Sequence, residues 1–537
     1  MLTKLKKGRA EQMRKFKSLL MLFPLSLVAA TLAGCGGKDE VRVLRVLNCE
    51  DYIYEYEEGD EENATEGENW YKEDVMDQFV DYWKAKTGEE IEYVYDTFDT
   101  NETMFNELQT GKTTYDIIVP SDYMIQKLIS NDMLHKISDE NKDEVWGNIS
   151  GYLKDQFDNI TAQYGDKTYQ LSEFSVPYMW GTVGLMYNPN YYMEKNSSLS
   201  EDDVHALFAD WDNLYSNDDI KGTYSIKDSV RDTYAVSLIH AYRDEIANTT
   251  DTGVLEEIFN RNSPEEMAVV KADMLNLKDS AFGFECDSGK TDMVDQKVGA
   301  NMCWSGDATW AITEARNDDE SKNLDLYYSI PTSYNGEAAK GASNIWFDGL
   351  CMPKNTDHED NLTAEEKAQY ELAEEFIKFM STPEIAVQNC YCVGYTPGVA
   401  GEAIFDYMLD CYETEEDGGI EYNLTYFFKD SLSEEYLADA GLTNDNIYIV
   451  TDPDMAKREL AAQYPEQEIL GRLAVMRDFG TEGNARLLDM WEQVRTNALP
   501  LWGIIVLAVE ALAGIAFGAY LISHIVNRKK YKKLRAQ

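Results

Sequence analysis

Apolar positions between residues 41 and 120 switch repeatedly between strand spacing and helix spacing. They run together or alternate in the strand-like segments and recur every three or four positions in the helix-like ones. Gly88 and Gly111 follow the helical patterns as stop signals, and Asn101 is placed as a helix cap. The predicted order is strand 41–47, helix 75–87, strand 91–95, helix 101–110 and strand 115–120.

This alternation predicts an α/β domain with a mostly parallel sheet. No internal repeat and no long linker divides residues 41–495, so we expect two interleaved lobes rather than two successive domains. Further strands are predicted at 184–187, 299–304, 324–330 and 345–352, and further helices at 232–242 and 364–381.

Composition narrows the possible partners. The 537 residues are enough for two or three domains, and a hydrophobic fraction of 44% can fill their cores. The 98 acidic residues outnumber the 48 basic ones, which gives a formal net charge of −50. This balance argues against nucleic acid as a partner, because phosphate contacts require Lys and Arg. An acidic surface attracts cations, but solubility explains most of this charge, so it does not identify a ligand.

Motifs for phosphate loops, dinucleotide binding, zinc proteases and serine hydrolases are absent from the sequence. The eight cysteines and five histidines do not cluster at the spacing of metal ligands. We therefore predict no metal, no cofactor and no enzymatic activity.

Residues 1–34 have the features of a secretory signal peptide. A basic start is followed by an apolar run, 19–32, and by Leu-Ala-Gly-Cys at 32–35. This tetrapeptide resembles the lipobox of bacterial lipoproteins, in which the cysteine, here Cys35, is lipidated and becomes the mature N-terminus. The alternative is an uncleaved anchor helix with an incidental cysteine.

The C-terminal region predicts a second attachment to the cell membrane. Residues 499–526 are almost wholly apolar and long enough to form a transmembrane helix. The basic tail at 527–537 places the C-terminus in the cytoplasm and the acidic bulk of the chain on the extracytoplasmic side. Glu510 either faces a partner helix or is tolerated near protonation.

Several short segments bring aromatic residues and carboxylates to predicted strand ends and loops. Alkyl-ammonium ligands need both groups, because carboxylates hold the charged nitrogens while aromatic faces cover the methylene chain and attract the cation. Core packing or helix capping would explain each segment alone, so their combination is what indicates a binding site. The segments are 48–52, 120–123, 304–307, 346–348 and 394–397.

Across these segments the chain resembles the spermidine/putrescine-binding receptors of bacterial ABC importers. The order and spacing of the matching segments carry the resemblance, which spans roughly residues 41–495. It is dense over 97–104 and 116–123, resumes at 175–181 and 228–232, and continues through 304–307, 346–348 and 394–397.

The resemblance implies a two-lobed fold of the periplasmic-binding-protein type (type II), in which crossing strands join two α/β lobes that close over a ligand. It places residues 41–178 and 348–400 in lobe 1, and residues 179–347 and 401–495 in lobe 2. A closed, loaded receptor would dock on the permease subunits of an ABC importer.

The resemblance also implies which side chains contact a small polyamine. Trp304, Trp346 and the tyrosines would wrap the aliphatic chain. Asp348 and Asp232 would hold ammonium groups, with Asp307 and Asp51 as secondary candidates. The implied ligand-binding set is Asp51, Tyr52, Ser121, Tyr123, Asp232, Trp304, Asp307, Trp346, Asp348 and Tyr395.

Two positions leave the selectivity between putrescine and spermidine open. The family usually has an aromatic residue after the Asn of the first strand, where this chain has Cys49, and the loss of one aromatic wall should loosen the pocket or change its length preference. Either Asp228 or Asp232 faces the ligand, and we favour Asp232 because it follows Arg231 as in the family.

Two other functions are compatible with the sequence. One is a receptor for a different organic cation, with Cys49 redirecting selectivity. The other is a sensor ectodomain whose C-terminal helix transmits a signal. The second is weaker, because the short tail after Val526 leaves no room for a signalling domain.

Overall fold

The computed structural model describes residues 41–56, 72–317, 324–332, 341–355, 361–414 and 418–496. The predicted lipidation site Cys35 and the predicted transmembrane segment 499–526 lie outside these residues. Within them, no helix is both long enough and apolar enough to cross a membrane. The chain divides into two compact units, Met1–Arg486 and Leu487–Gln537, and the candidate binding residues all belong to the first.

The strands of the described residues are numbered in chain order. They are β1 Arg42–Cys49, β2 Ile91–Phe98, β3 Ile117–Ile118, β4 Leu134–His135, β5 Thr161–Tyr164, β6 Lys167–Gln170, β7 Ser175–Tyr187, β8 Tyr224–Lys227, β9 Gly283–Glu285, β10 Ala300–Trp304, β11 Tyr327–Ser329, β12 Ser343–Pro353, β13 Thr396–Pro397, β14 Ile420–Asn423, β15 Tyr448–Thr451 and β16 Leu473–Val475.

The α-helices are named by their residues. They are Val75–Thr87, Asn101–Thr110, Asp122–Ser130, Asp139–Gly147, Gly151–Asn159, Pro189–Lys195, Glu201–Phe208, Asp212–Ser216, Val230–Ala241, Arg243–Ala247, Thr252–Phe259, Pro264–Ser280, Ser288–Val294, Ser305–Asn317, Ala364–Met380, Pro383–Val393, Glu402–Tyr412, Thr425–Phe428, Glu434–Asp439, Glu459–Gln463, Gln467–Leu470 and Gly480–Arg495.

The main sheet has the strand order β2-β1-β3-β12-β7-β10-β8-β9. Its first half is parallel, with β1 pairing β2 from Arg42 opposite Ile91 to Cys49 opposite Phe98, and pairing β3 on its other side. Its second half is also parallel, with β8 between β10 and β9. Each half therefore has the strand–helix–strand character that the hydrophobic pattern predicts.

Two long strands, β7 and β12, connect these halves. They pair antiparallel with each other, and every residue of both is buried. β10 also pairs antiparallel with β7, and β3 with β12. The prediction of a mostly parallel sheet therefore holds within each half and is wrong at the centre, because strands that run through both halves oppose the direction of their neighbours.

Local signals explain several element ends. The helix Val75–Thr87 stops at Gly88, whose φ of 77° is a left-handed conformation that favours glycine. The next helix begins at Asn101, but its cap is Thr100, whose side chain accepts a hydrogen bond from the backbone of Thr103. The cap prediction was therefore one residue too late.

Candidate ligand-binding site

The candidate residues lie where strands of the two sheet halves end. Tyr52 follows β1, Ser121 and Tyr123 follow β3, Asp232 follows β8, and Trp304 ends β10. Carboxyl ends of parallel strands meet at one edge of a sheet, which is where α/β proteins place ligands. The remaining members lie in or beside the segments that cross between the halves, at Trp346, Asp348 and Tyr395, or in the first turn of a helix, at Asp307.

Asp348 is the centre of an aromatic cluster and is only 7% exposed. Tyr52 donates a hydrogen bond of 2.8 Å from its hydroxyl to Asp348 Oδ2. The Tyr52 ring packs edge-on against Tyr395, at 5.4 Å between ring centroids, and Tyr395 packs against Trp346 at 5.5 Å. The four side chains thus combine one buried carboxylate with three aromatic faces.

The other oxygen of this carboxylate, Asp348 Oδ1, is buried and has no hydrogen-bond partner among the described residues. The indole nitrogen of Trp346, Nε1, is likewise buried and unpartnered among them. Burial, with a smaller contribution from the negative charge of Asp232, raises the pKa of Asp348 to about 6, although the hydroxyl groups of Ser121 and Tyr52 act to lower it. A buried carboxylate oxygen without a hydrogen bond costs free energy, so this oxygen is suited to accept a hydrogen bond from a ligand.

Asp232 lies in the first turn of the helix Val230–Ala241 and is 4% exposed. Trp304 donates its indole N–H to Asp232 Oδ2 at 3.0 Å. Asn344 donates its side-chain amide to Asp232 Oδ1 at 3.3 Å. Of the two acids left open by the sequence, Asp232 thus accepts a hydrogen bond from a predicted aromatic wall, Trp304.

Asp307 joins the cluster from the helix Ser305–Asn317. It accepts a hydrogen bond of 3.0 Å from the Tyr395 hydroxyl. It also forms an ion pair with Lys227, at 2.8 Å between Oδ2 and Nζ. Burial alone would raise the pKa of Asp307, but the charges of Lys227 and Lys290, together with the hydrogen bonds from Lys227 and Tyr395, outweigh it and the pKa is lowered.

Lys227 was missed by the sequence analysis. It is 1% exposed, at the end of β8, in which every residue is buried. A lysine that ends an otherwise apolar or neutral strand, directly before the Asp228–Asp232 segment, was the signal that could have revealed it. Its partner Asp307 could not be read from the sequence, because the two are 80 positions apart.

Two predicted residues lie apart from this cluster. The side chain of Asp51 is 81% exposed, and its carboxylate is 3.8 Å from Lys290. The hydroxyl of Tyr123 donates to Glu102 Oε1 at 3.1 Å, and its ring lies 4.7 Å from the Arg231 guanidinium. Neither has a hydrogen bond to Asp348 or Asp232 in the described part of the chain.

Ser121 lies between the two groups. It forms an isolated antiparallel bridge with Asp348. Asn101 holds it in place, with its side-chain amide donating to Ser121 Oγ at 3.0 Å and its carbonyl oxygen accepting from Ser121 N at 3.1 Å.

Asp122, which the sequence analysis did not select, is fully buried beside this bridge. Its Oδ2 accepts a hydrogen bond of 3.1 Å from the backbone of Phe347, while Oδ1 has no partner among the described residues. Burial raises its pKa to about 8, with a smaller contribution from Asp348. It is therefore protonated at neutral pH and adds little negative charge to the site.

Cys49 ends β1 on the same side of the sheet. Its thiol pKa is raised by burial and by the nearby charge of Asp348. A neutral thiol thus stands at the position where the resemblance predicts an aromatic wall.

Comparisons with known proteins agree with this architecture. Residues 78–403 match the family described as bacterial extracellular solute-binding protein. The chain is 25% identical to the putrescine-binding periplasmic protein SpuD of Pseudomonas aeruginosa, over 72% of this chain and 86% of that one. It is 23% identical to the spermidine/putrescine-binding periplasmic protein of Escherichia coli, over 64% and 80%.

A solved structure has the same fold. The spermidine/putrescine ABC transporter substrate-binding protein PotD of Streptococcus pneumoniae aligns with 85% of this chain and all of that one, with a TM-score of 0.50 and 22% identity. The two sheet halves joined by β7 and β12 are accordingly the two α/β lobes of a periplasmic binding protein. The chain belongs to the bacterial extracellular solute-binding protein family.

Proposed function

We propose that this protein is an extracytoplasmic receptor that captures a small polyamine between its lobes and delivers it to the permease of an ABC importer. The observation that carries this function is the buried carboxylate of Asp348, which has an unpartnered oxygen and lies among Tyr52, Tyr395 and Trp346. An ammonium group satisfies such an oxygen with a charge-assisted hydrogen bond.

The aromatic rings suit the rest of the ligand. Each ring offers an apolar face to methylene groups, and a cation over such a face gains about 0.5–2 kcal/mol. The relatives named above are described as putrescine-binding or spermidine/putrescine-binding proteins, which supports the same ligand class here. The site binds its ligand without converting it.

Closure of the lobes couples binding to delivery. We assign residues 41–178 and 348–400 to one lobe and 179–347 and 401–495 to the other. With these boundaries the Tyr395–Asp307 hydrogen bond crosses from lobe to lobe beside the candidate ligand site. A ligand that strengthens such contacts favours the closed state, which is the form presented to a permease.

Calorimetric titration of the full-length protein in detergent tests this function. We expect micromolar or tighter binding of putrescine, spermidine or both, and none of neutral amino acids. Binding of choline without any polyamine would favour the alternative, a receptor for another organic cation. Absence of heat with every polyamine at moderate salt would contradict the proposal.

We also infer that the protein is held at the membrane by lipid on Cys35 and by a helix at 499–526. Either attachment alone should keep it in the membrane fraction. We therefore expect Cys35→Ala and a deletion of 498–537 to remain membrane-bound singly, and their combination to become soluble. Membrane retention of the combined variant would contradict this pair of anchors as the only attachments and would favour the alternative, in which the apolar run 19–32 stays as an uncleaved anchor helix.

A further inference from the structure

Lys227 has an unusual position for a lysine in a site that is to bind cations. Its side chain is almost fully buried, and burying an ammonium is costly unless carboxylates surround it. Asp307 lies 2.8 Å from Nζ and Glu285 lies 3.5 Å from it. Burial would lower the pKa of Lys227, but these two acids outweigh it and the pKa is raised, so the side chain stays charged.

The surroundings of this ammonium are those that a ligand ammonium requires. Nζ lies over the Trp304 ring, 4.4 Å from its centre, which is within cation–π distance. Trp304 is the residue that donates to Asp232, and Asp307 is the residue that accepts from Tyr395. Lys227 therefore fills one end of the same cluster with a protein cation.

Glu285 is the second acid that contacts this cation. Its carboxylate is fixed by the Asn301 side-chain amide at 3.0 Å and the Gly289 backbone N–H at 2.9 Å. Because both acids around Lys227 have further hydrogen-bond donors, the arrangement is a built part of the fold rather than a loose surface contact.

The family resemblance marks two acids as secondary candidates for ligand binding, and each of them has a lysine partner. Asp307 pairs with Lys227, and Asp51 pairs with Lys290 at 3.8 Å. Asp348 and Asp232, in contrast, form no ion pair with any lysine or arginine in the described ranges. Two buried carboxylates are thus left for the charges of a ligand.

Given the proposed polyamine receptor, we propose that Lys227 acts as a built-in ammonium that restricts the ligand to short diamines. The two ammonium groups of the diamine are held by Asp348 and Asp232. A third ammonium, as in a triamine, finds the Trp304–Asp307 end already filled and meets a like charge there. Lys227 is in this way a specificity-determining residue.

The wild-type protein alone gives a first test. Calorimetry of the full-length protein should show that putrescine binds at least about tenfold more tightly than spermidine. Equal or tighter binding of spermidine would overturn the role of Lys227 while leaving the polyamine receptor intact. Failure of both ligands to bind would instead remove the proposed function itself.

Lys227→Gln and Lys227→Arg then test the residue directly. The glutamine variant frees Asp307, so the ratio of spermidine to putrescine affinity should rise at least about tenfold, whereas the arginine variant keeps the charge and the wild-type ratio. An unchanged ratio in a glutamine variant with a wild-type thermal midpoint would refute the proposal. If that variant does not fold, Lys227→Gln with Glu285→Gln removes one charge of each sign and serves the same comparison.

Discussion

Asp348 accepts a hydrogen bond from Tyr52, is 7% exposed, and has one oxygen without a partner. At the scale of the residue, this combination of burial and incomplete hydrogen bonding is what an ammonium group would complete. The exposed Asp51, in contrast, keeps 81% of its side chain in water and has little to gain from a ligand. The two aspartates therefore differ in how strongly they would bind a ligand ammonium, because only Asp348 is buried.

Asp348→Asn should weaken polyamine binding by about 2–5 kcal/mol, because it removes the charge of a buried ion pair and leaves the ligand ammonium uncompensated. Asp51→Asn is the matched control, and its exposed position predicts a loss of less than about 1 kcal/mol. Calorimetric titration of both variants measures the difference. Equal losses in the two variants would show that the exposed acid contributes as much as the buried one.

The raised pKa of Asp348, about 6, predicts a dependence of binding on pH. The ligand ammonium pairs with the carboxylate, so a proton competes with it below that pH. Affinity should be level above pH 7 and fall by about tenfold for each unit below pH 6. Titration from pH 4.5 to 8 measures this profile, and Asp348→Asn should flatten it.

Asp122 predicts a pH dependence of stability rather than of binding. Its pKa is raised from 3.8 to about 8 in the folded protein, so the folded state holds a proton that the unfolded state has lost. The contribution of Asp122 to the free energy of unfolding is therefore fully present at low pH. It is lost as the pH rises from about 4 to 8, because the unfolded state releases its proton first. Asp122→Asn keeps an acceptor for the Phe347 N–H but does not titrate.

The stability of Asp122→Asn relative to wild type should accordingly increase with pH, by up to about 1.4 kcal/mol per unit, and level off above pH 8. Urea unfolding at several pH values between 5 and 9 measures this trend. Asp99→Asn, at an exposed position, is the control and should parallel wild type. Parallel curves for Asp122→Asn as well would mean that its carboxyl group is not protonated in the folded protein.

At the scale of the element, the start of the helix Ser305–Asn317 fixes the aromatic cluster. A Cβ on Gly306 would overlap the Tyr395 ring, so only glycine permits this close approach. The same turn carries Asp307, which accepts from Tyr395. The sequence patterns did not predict this helix, and its contact with Tyr395 depends on a segment 89 positions later.

Gly306→Ala should displace Tyr395 and cost about 1–3 kcal/mol of stability, as overpacking of a filled core does. Polyamine affinity should fall with it, because Tyr395 packs against both Tyr52 and Trp346. Gly147→Ala, at the end of another helix with no atom within 4 Å of the added Cβ, should change stability by less than about 0.5 kcal/mol. Thermal unfolding and calorimetry compare the two, and a neutral Gly306→Ala would mean that the ring has room to move.

At the scale of the whole described fold, β7 and β12 pass through both sheet halves and pair along most of their length. Trp346 and Asp348 both belong to β12, where they directly precede and follow Phe347 in the sequence. The candidate site is therefore built on a strand that connects the two lobes rather than on one lobe alone. A ligand bound there contacts side chains from both halves and should stabilise the folded state as a unit.

Putrescine at 100 times its Kd should stabilise wild-type protein by about 2.7 kcal/mol, which raises the thermal midpoint by several degrees. Asp348→Asn, whose affinity is expected to fall by about 2–5 kcal/mol, should be stabilised by less than about 1 kcal/mol at the same concentration. A thermal scan with and without ligand checks this, and an equal shift in both proteins would place the binding site elsewhere.

Much of the element order follows from the sequence alone. Apolar spacing and the glycine stops placed strands and helices within a few residues in most segments, because these signals act locally. The strand predicted at 184–187 is in fact thirteen residues long and starts at Ser175. Its earlier part is buried on both faces, so it has no alternation of polar and apolar residues by which a strand could be recognised.

The sequence by itself determined which aromatic and acidic residues are available, the order of the elements that carry them, and the likeness to the polyamine receptors. Only the tertiary structure decided which of the acids are buried and which have a lysine partner. Asp307 is paired with Lys227 and Asp51 with Lys290, while Asp348 lies buried with a free oxygen. These outcomes depend on burial and on partners far apart in the chain, which local spacing does not encode.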